Sequence, residues 1–204
     1  MTKNRLRPVR NRPGIFGKAK GMTDELLIRF CAPTLAGLKA GSMFSCAFSS
    51  REALCEGVRA LNRRLGPGGL RVLPLRFHAG RGLIYVYRPE QLMRDLSDSG
   101  AGALLDGLGY PRGGAQRRLI ALMRRLRQGG EFPHEIGLFL GYPAEDVLGF
   151  ITHREQSTCT GVWRVYGDGK KAQETFARFR KCTDLYFAQY RRGASVEALT
   201  VAGR

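Results

Sequence analysis

The stretch LRVLPLRFHAGRGLIYVY, residues 70–87, decides the fold because it predicts a β-hairpin. Its first arm, residues 70–77, is apolar at alternate positions, and a turn-forming stretch over residues 78–82 follows. The second arm, residues 83–87, is rich in β-branched and aromatic residues, which favour strands. Pro74 cannot donate a ladder hydrogen bond, so we expect the first arm to be an edge strand or to carry a bulge.

Helical and extended patterns on both sides of the hairpin indicate a mixed fold. An apolar strand pattern over residues 43–48 and an amphipathic helix ending at Leu65 precede it. Several helical patterns over residues 89–152, an extended segment over residues 161–166 and a long helix over residues 170–192 follow it. This order predicts an α+β fold, with about four strands in one mixed sheet covered by helices.

We expect one folded domain, residues 23–204, preceded by a flexible basic arm, residues 1–22. The first 21 residues hold seven Lys and Arg side chains and no acid, which leaves little apolar surface to offset the entropy of ordering. Thr23, followed by Asp24 and Glu25, matches the start of the first helix.

The composition is that of a folded protein of the cytoplasm. The chain has 204 residues, of which 43% are hydrophobic and 25% charged, and it has no apolar run long enough to cross a bilayer. The N-terminus lacks the apolar core of a signal peptide. Five cysteines at wide, irregular spacings are typical of free thiols in a reducing compartment.

The net charge of +17 raises the possibility of nucleic-acid binding. The basic arm and the arginine-rich face of residues 112–127 would carry it, through Arg117, Arg118, Arg124 and Arg125. The alternative is a compositional bias, because Arg greatly outnumbers Lys while Gly and Ala are abundant. A GC-rich genome would impose that bias on ordinary solvent-facing positions.

The densest group of unusual residues is FPHEIGLFLGYPAEDVLGF, residues 132–150. Gly137 and Gly149 interrupt apolar helical patterns at a cost of about 1 kcal/mol each relative to Ala, which predicts close approach of a ligand or of a neighbouring element. His134 lies at a helix start, where the helix dipole favours a neutral imidazole. Such a ring suits proton transfer or metal binding, although a capping role is the more common one.

Two further segments, FCAPTL at residues 30–35 and CTGVWRVY at residues 159–166, contain cysteines that could join His134. If they converged, four side chains would suit zinc or iron: Cys31, His134, Cys159 and Cys182. The alternative is ordinary buried thiols, because the separations of these residues include no short paired ligand spacing. A thiol enzyme using Cys31 or Cys159 beside His134 is a further alternative, and the sequence leaves the question of enzymatic activity open.

These segments resemble a bacterial family catalogued as a domain of unknown function, number 3793. The resemblance covers residues 23–198 and rests on CAPTLAGLK at residues 31–39, the HEIG and FLGYP string in residues 134–143, and Gly161 with its neighbours. The family pattern includes thiols at the positions of Cys31, Cys159 and Cys182. The basic arm and the richness in arginine depart from the family. The resemblance implies a small cytoplasmic bacterial protein and carries no established activity.

Our leading hypothesis from the sequence is a cytoplasmic metal- or small-ligand-binding protein. Its candidate ligand-binding residues are Cys31, His134, Glu135, Tyr142, Cys159 and Trp163. A nucleic-acid-associated protein and a protein-interaction module without chemistry are the alternatives, and no membrane contact is expected. The ligand, the partner and the oligomeric state stay open.

Overall fold

The fold is built on a three-stranded antiparallel sheet at the centre of the described chain. The computed structural model describes residues 22–129 and 131–202. Strands β1 (Gly41–Ala47), β2 (Arg71–His78) and β3 (Arg81–Tyr87) lie in the order β1-β3-β2. The β2–β3 hairpin is confirmed, and Ala79 and Gly80 form its two-residue turn with positive φ angles of 46° and 70°.

Both expectations for Pro74 are confirmed. β2 is the edge strand of the sheet, and its register against β3 shifts between Pro74 and Arg76. The missing N–H of Pro74 therefore lies where a strand can tolerate it.

The prediction of one mixed, four-stranded sheet is wrong. All pairs in the central sheet are antiparallel, and the late extended segment forms a separate hairpin of β4 (Cys159–Thr160) and β5 (Arg164–Val165). The chain reverses between these strands, where the Gly161 amide donates to the Trp163 carbonyl at 2.9 Å. A segment that folds back within three residues cannot supply a fourth strand to the sheet.

Helices cover both faces of the sheet, and several begin at the caps that the sequence indicates. Thr23 and Ser50 accept hydrogen bonds from the amides of Leu26 and Ala53, three residues further on. The α-helices are α1 (Asp24–Leu35), α2 (Arg51–Leu65), α3 (Pro89–Ser97), α4 (Ser99–Gly107), α5 (Ala115–Gln128), α6 (Ile136–Phe139), α7 (Ala144–Thr152) and α8 (Gly169–Arg191). A 3-10 turn, Gly66–Gly68, ends α2.

Alternate residues of β3 enter two different hydrophobic cores. Ile84 and Val86 pack with α1 and α2, whereas Tyr85 packs with α3 to α7 on the other side. The sheet is therefore the middle layer of three. A smaller third cluster joins the β4–β5 hairpin to α8 through Val165 and Phe176.

Within the described residues, no helix is long and apolar enough to cross a membrane. Of the predicted basic arm, residues 1–21 lie outside the described part of the chain. The domain boundaries stay a prediction.

Candidate ligand-binding cleft

Three of the candidate residues, His134, Tyr142 and Trp163, line one cleft of about 180 Å³. The cleft lies between the segment leading into α6, helix α7 and the β4–β5 hairpin. We call it the aromatic cleft. Its other lining residues include Ile136, Leu140, Val147, Phe150, Val162 and Arg164.

A sharp turn between α6 and α7 brings Tyr142 to this cleft. Gly141 ends α6 with a φ of +73°, a conformation that side chains other than glycine rarely adopt. The Tyr142 amide then donates to the Gly137 carbonyl at 3.0 Å, and Pro143 leads into α7. Burial raises the pKa of Tyr142 to about 12, so its hydroxyl stays protonated at neutral pH.

Asp146 on α7 fixes the hairpin that carries Trp163. Only 3% of Asp146 is exposed, and its Oδ2 accepts a hydrogen bond from Trp163 Nε1 at 2.7 Å. Its Oδ1 accepts from the amides of Tyr166 at 2.7 Å and Gly167 at 2.9 Å. Three N–H donors therefore occupy this buried carboxylate, which makes it a positioning group rather than a free ligand of the cleft.

The Trp163 side chain forms one wall of the aromatic cleft and is held by ring contacts. It stacks on Tyr142 with ring centroids 4.7 Å apart and planes inclined by 25°. Phe176 of α8 meets it edge-on, with centroids 4.5 Å apart. Such pairs fix the indole in one orientation.

His134 and two arginines lie around Phe150, at the polar end of the cleft. The imidazole meets the Phe150 ring edge-on at 4.9 Å, and its Nε2 lies 3.7 Å from Oε1 of the highly exposed Glu131. The guanidinium carbons of Arg154 and Arg164 lie 4.9 Å and 5.9 Å from the Phe150 ring centroid. The cleft thus joins an apolar interior to a predominantly basic rim.

The helix-interior glycines are explained by packing within the protein. A Cβ at Gly137 would lie 2.8 Å from Val147 Cγ2, and one at Gly149 would overlap the ring of Tyr166. Close approach is therefore confirmed, and the approaching groups are neighbouring side chains.

Glu135 points away from the aromatic cleft. Its Oε1 accepts from the Tyr110 hydroxyl at 2.8 Å and from Arg125 Nη1 at 2.9 Å, and the residue is buried. The Arg125 guanidinium carbon also lies 4.2 Å from the Tyr110 ring centroid. This network ties α5 to the segment before α6.

The predicted cysteine ligands do not line the aromatic cleft. Cys31 is fully buried in the core of α1, Cys159 packs against the third cluster, and Cys182 lies buried on α8. Within residues 22–129 and 131–202, no group of three or more His, Cys, Asp or Glu side chains is arranged to hold a metal ion. Burial raises the pKa of Cys31 to about 12, so this thiol stays protonated at neutral pH.

Two of the four candidate nucleic-acid residues are engaged within the fold. Arg118 donates to the Leu96 carbonyl and pairs with Asp106 at 2.9 Å, while Arg125 holds Glu135. Arg117 and Arg124 are exposed on α5. Nucleic-acid binding stays a prediction that would rest on the exposed pair.

Sequence reasoning did not select three residues that shape the cleft: Asp146, Phe150 and Arg164. Asp146 and Phe150 are four residues apart and lie on one face of α7, so helical spacing within residues 132–150 could have grouped them. No sequence signal distinguishes Arg164 from other arginines.

The chain matches the family model described as Protein of unknown function (DUF3793) over residues 27–200. No curated protein and no solved structure matches the chain. The family match runs from α1 past the end of α8 and includes every segment that forms the aromatic cleft. The resemblance seen in the sequence is thus confirmed, and the chain belongs to this family.

Proposed function

We propose that this protein binds a small ligand in the aromatic cleft, through a ring-sized apolar group that carries an anionic substituent. The observation that carries the proposal is the convergence of His134, Tyr142 and Trp163, from separate segments of the chain, on one apolar cleft. Small-ligand sites combine such apolar walls with a few convergent polar groups.

The volume of the cleft supports a ligand group of one ring. An apolar protein cavity of about 150 Å³ is large enough to take up benzene. The aromatic cleft, at about 180 Å³, is of that size. In the interior of the cleft, the ligand's ring would contact Ile136, Leu140 and Val147. At the walls it would contact the faces and edges of aromatic side chains.

The charge at the rim supports an anionic substituent. Arg164 uses Nη1 to donate to the Arg154 carbonyl at 2.7 Å. Its other guanidinium N–H groups have no partner among the described residues, so they remain available to a carboxylate. Asp146 also lines the cleft and keeps its negative charge, but its oxygens face three protein N–H groups. The anionic substituent is therefore expected at the Arg164 guanidinium and not beside Asp146.

The donor set favours an organic ligand over a metal ion. His134 is the only His or Cys side chain among the described residues that line the cleft, and zinc or ferrous iron needs several such ligands. The cytoplasmic location stays part of the proposal.

Isothermal titration calorimetry with benzoate and with benzyl alcohol tests this function, since the two molecules share a ring and differ in charge. We expect saturable binding of benzoate and about tenfold weaker binding of benzyl alcohol. Arg164→Gln should remove the difference between the two, while the exposed α8 variant Arg180→Gln should preserve it. The absence of saturable heat with either molecule, or an unchanged preference in Arg164→Gln, would contradict the proposal.

A further inference from the structure

A second and larger cleft, of about 540 Å³, lies near the end of α1, where Ala36 and Gly37 of the CAPTLAGLK segment line it. It is bounded by the end of α1, the 3-10 turn after α2, the start of β2 and the start of α3. We call it the arginine cleft, because Arg71, Arg88 and Arg94 line it. Its volume falls within the range of about 300–1,000 Å³ that is usual for small-molecule sites.

Arg88 brings a buried positive charge to this cleft. Only 5% of the residue is exposed, and its guanidinium donates to the carbonyls of Thr34 at 2.7 Å, Leu35 at 2.6 Å and Val201 at 2.7 Å. A longer bond of 3.3 Å reaches Gly68. No carboxylate of a described residue pairs with it, so neutral carbonyls hold the group while its charge stays uncompensated.

Two more guanidinium groups reach the cleft from its walls. Arg71 lies at the start of β2 and donates to the carbonyl of Leu70 at 3.0 Å, while Arg94 is exposed on α3. Neither forms an ion pair within the described residues. Glu90 is the one acidic residue among the described residues that line the cleft, so the lining carries a net charge of +2 from three arginines and one glutamate.

The start of α3 adds backbone donors to the same cleft. Arg88 is its N-cap residue and provides no side-chain cap, and Pro89 occupies the first helical position. The amides of Glu90 and Gln91, whose residues line the cleft, therefore have no helical acceptor. Amides at a helix start favour anions, and here they support the charge that the arginines supply.

We propose that the arginine cleft binds a phosphate-bearing small molecule. Guanidinium groups match phosphate oxygens in paired hydrogen bonds, which Arg71 and Arg94 can form. Arg88 already donates four of its five N–H groups to carbonyls, so it contributes mainly its positive charge. The phosphate group compensates the buried positive charge of Arg88 and accepts hydrogen bonds from Arg71 and Arg94 on the walls of the cleft. This site is separate from the aromatic cleft and does not depend on the function proposed there.

Calorimetric titration at low salt, with inorganic phosphate and with ATP in parallel, tests the site. The double variant Arg71→Gln/Arg94→Gln removes two wall charges, and Arg59→Gln/Arg63→Gln removes two exposed charges of α2 as the matched control. We expect the wall variant to weaken ATP binding by roughly tenfold or more and the control to change it by less than about threefold. Stronger binding of ATP than of phosphate would support a ligand with several phosphate groups, and equal binding would support a ligand with a single phosphate group.

Two results would overturn the proposal: no saturable binding of either anion, or equal weakening of ATP binding in both double variants. Because Arg71 also bonds the backbone, the single variant Arg94→Gln provides a second test in which the fold is not at risk. Arg94 makes no hydrogen bond to the described residues, so its replacement should lower ATP affinity without lowering the melting temperature.

Discussion

At the scale of single residues, Asp146 is the group on which the aromatic cleft depends. Its two buried oxygens accept hydrogen bonds from the Trp163 indole N–H and from the two backbone amides that directly follow the β4–β5 hairpin. Removing the carboxylate leaves these donors without partners. Each unsatisfied buried donor is costly, and the cost exceeds the net value of the bond itself.

We expect Asp146→Ala to lower the free energy of unfolding by roughly 2–4 kcal/mol. Urea denaturation measures this loss, and the emission of Trp163 should move to longer wavelength as the indole becomes more exposed. Asp184→Ala, which removes an exposed carboxylate from α8, is the control and should change stability little. Equal stability of the two variants would show that Asp146 does not hold the hairpin.

Lys39 is a second residue whose surroundings predict a measurable effect. Only 8% of it is exposed, and its Nζ lies 5.2 Å and 5.8 Å from the ring centroids of Tyr142 and Phe179. Burial lowers its pKa from 10.5 to about 8. Between these two pKa values the unfolded chain binds more protons at Lys39 than the folded chain does. The contribution of Lys39 to the free energy of unfolding therefore rises with pH.

Replacing Lys39 with Met removes this titration. The stability of Lys39→Met relative to the natural chain should therefore be greatest near pH 7 and should fall by up to roughly 3 kcal/mol as the pH rises through 8 towards 10.5. Urea denaturation of both proteins at several pH values measures the difference in their free energies of unfolding. The tyrosine titrations are common to both proteins and cancel in this difference. A difference that stays constant over this range would show that Lys39 has an ordinary pKa.

At the scale of elements, the packing of α7 against the β4–β5 hairpin depends on Gly149. A methyl group at this position would overlap the Tyr166 ring, which follows the hairpin directly. We expect Gly149→Ala to destabilise the protein by about 1–3 kcal/mol and to weaken ligand binding in the aromatic cleft. Thermal denaturation and benzoate titration measure the two effects.

Gly107→Ala provides the matched control for that substitution. Gly107 also lies in a helix, and a Cβ there would have no neighbour within 4 Å. Its replacement should leave stability unchanged or raise it by up to about 1 kcal/mol, because alanine favours helix. If both alanine variants behaved alike, helix propensity and not the Tyr166 contact would explain the result.

The elements that the sequence could predict are those whose signals are local. Local signals sufficed for the β2–β3 hairpin, where Pro74 indicated both the edge position and the bulge, and for the helices capped by Thr23 and Ser50. The segment 161–166 has the composition of a strand, but the reversal at Gly161 depends on contacts with Asp146 and Phe176. Those partners are distant in the sequence, so local pattern could not reveal the separate hairpin.

The sequence also predicted part of the candidate site. The segments of His134, Tyr142 and Trp163 stood out by their composition, and the structure brings these three side chains to one cleft. Glu135 follows His134 directly but faces the opposite way, because adjacent residues of a helical turn point in different directions. Arg118 and Arg125 lie on the solvent side of an amphipathic pattern, yet their long side chains reach back to internal partners.

At the scale of the whole molecule, two clefts of different chemistry lie outside the central sheet. The aromatic cleft lies where α6 and α7 meet the β4–β5 hairpin, and the arginine cleft lies where α1 ends and α3 begins. The two hydrophobic cores cover both faces of the sheet. Ligand-binding clefts therefore lie at the loops and helix ends around the sheet. The net charge of +17 would attract anions to both clefts.

The most direct test of the aromatic cleft uses the single tryptophan of the chain, Trp163, which forms its wall. Its fluorescence is recorded while benzoate is added to the folded protein, with Arg164→Gln titrated in parallel. Ligand binding in the cleft predicts a saturable change in Trp163 emission that is shifted to higher benzoate concentration in the variant. Emission that does not change while the protein stays folded, or that changes identically in both proteins, would contradict the account.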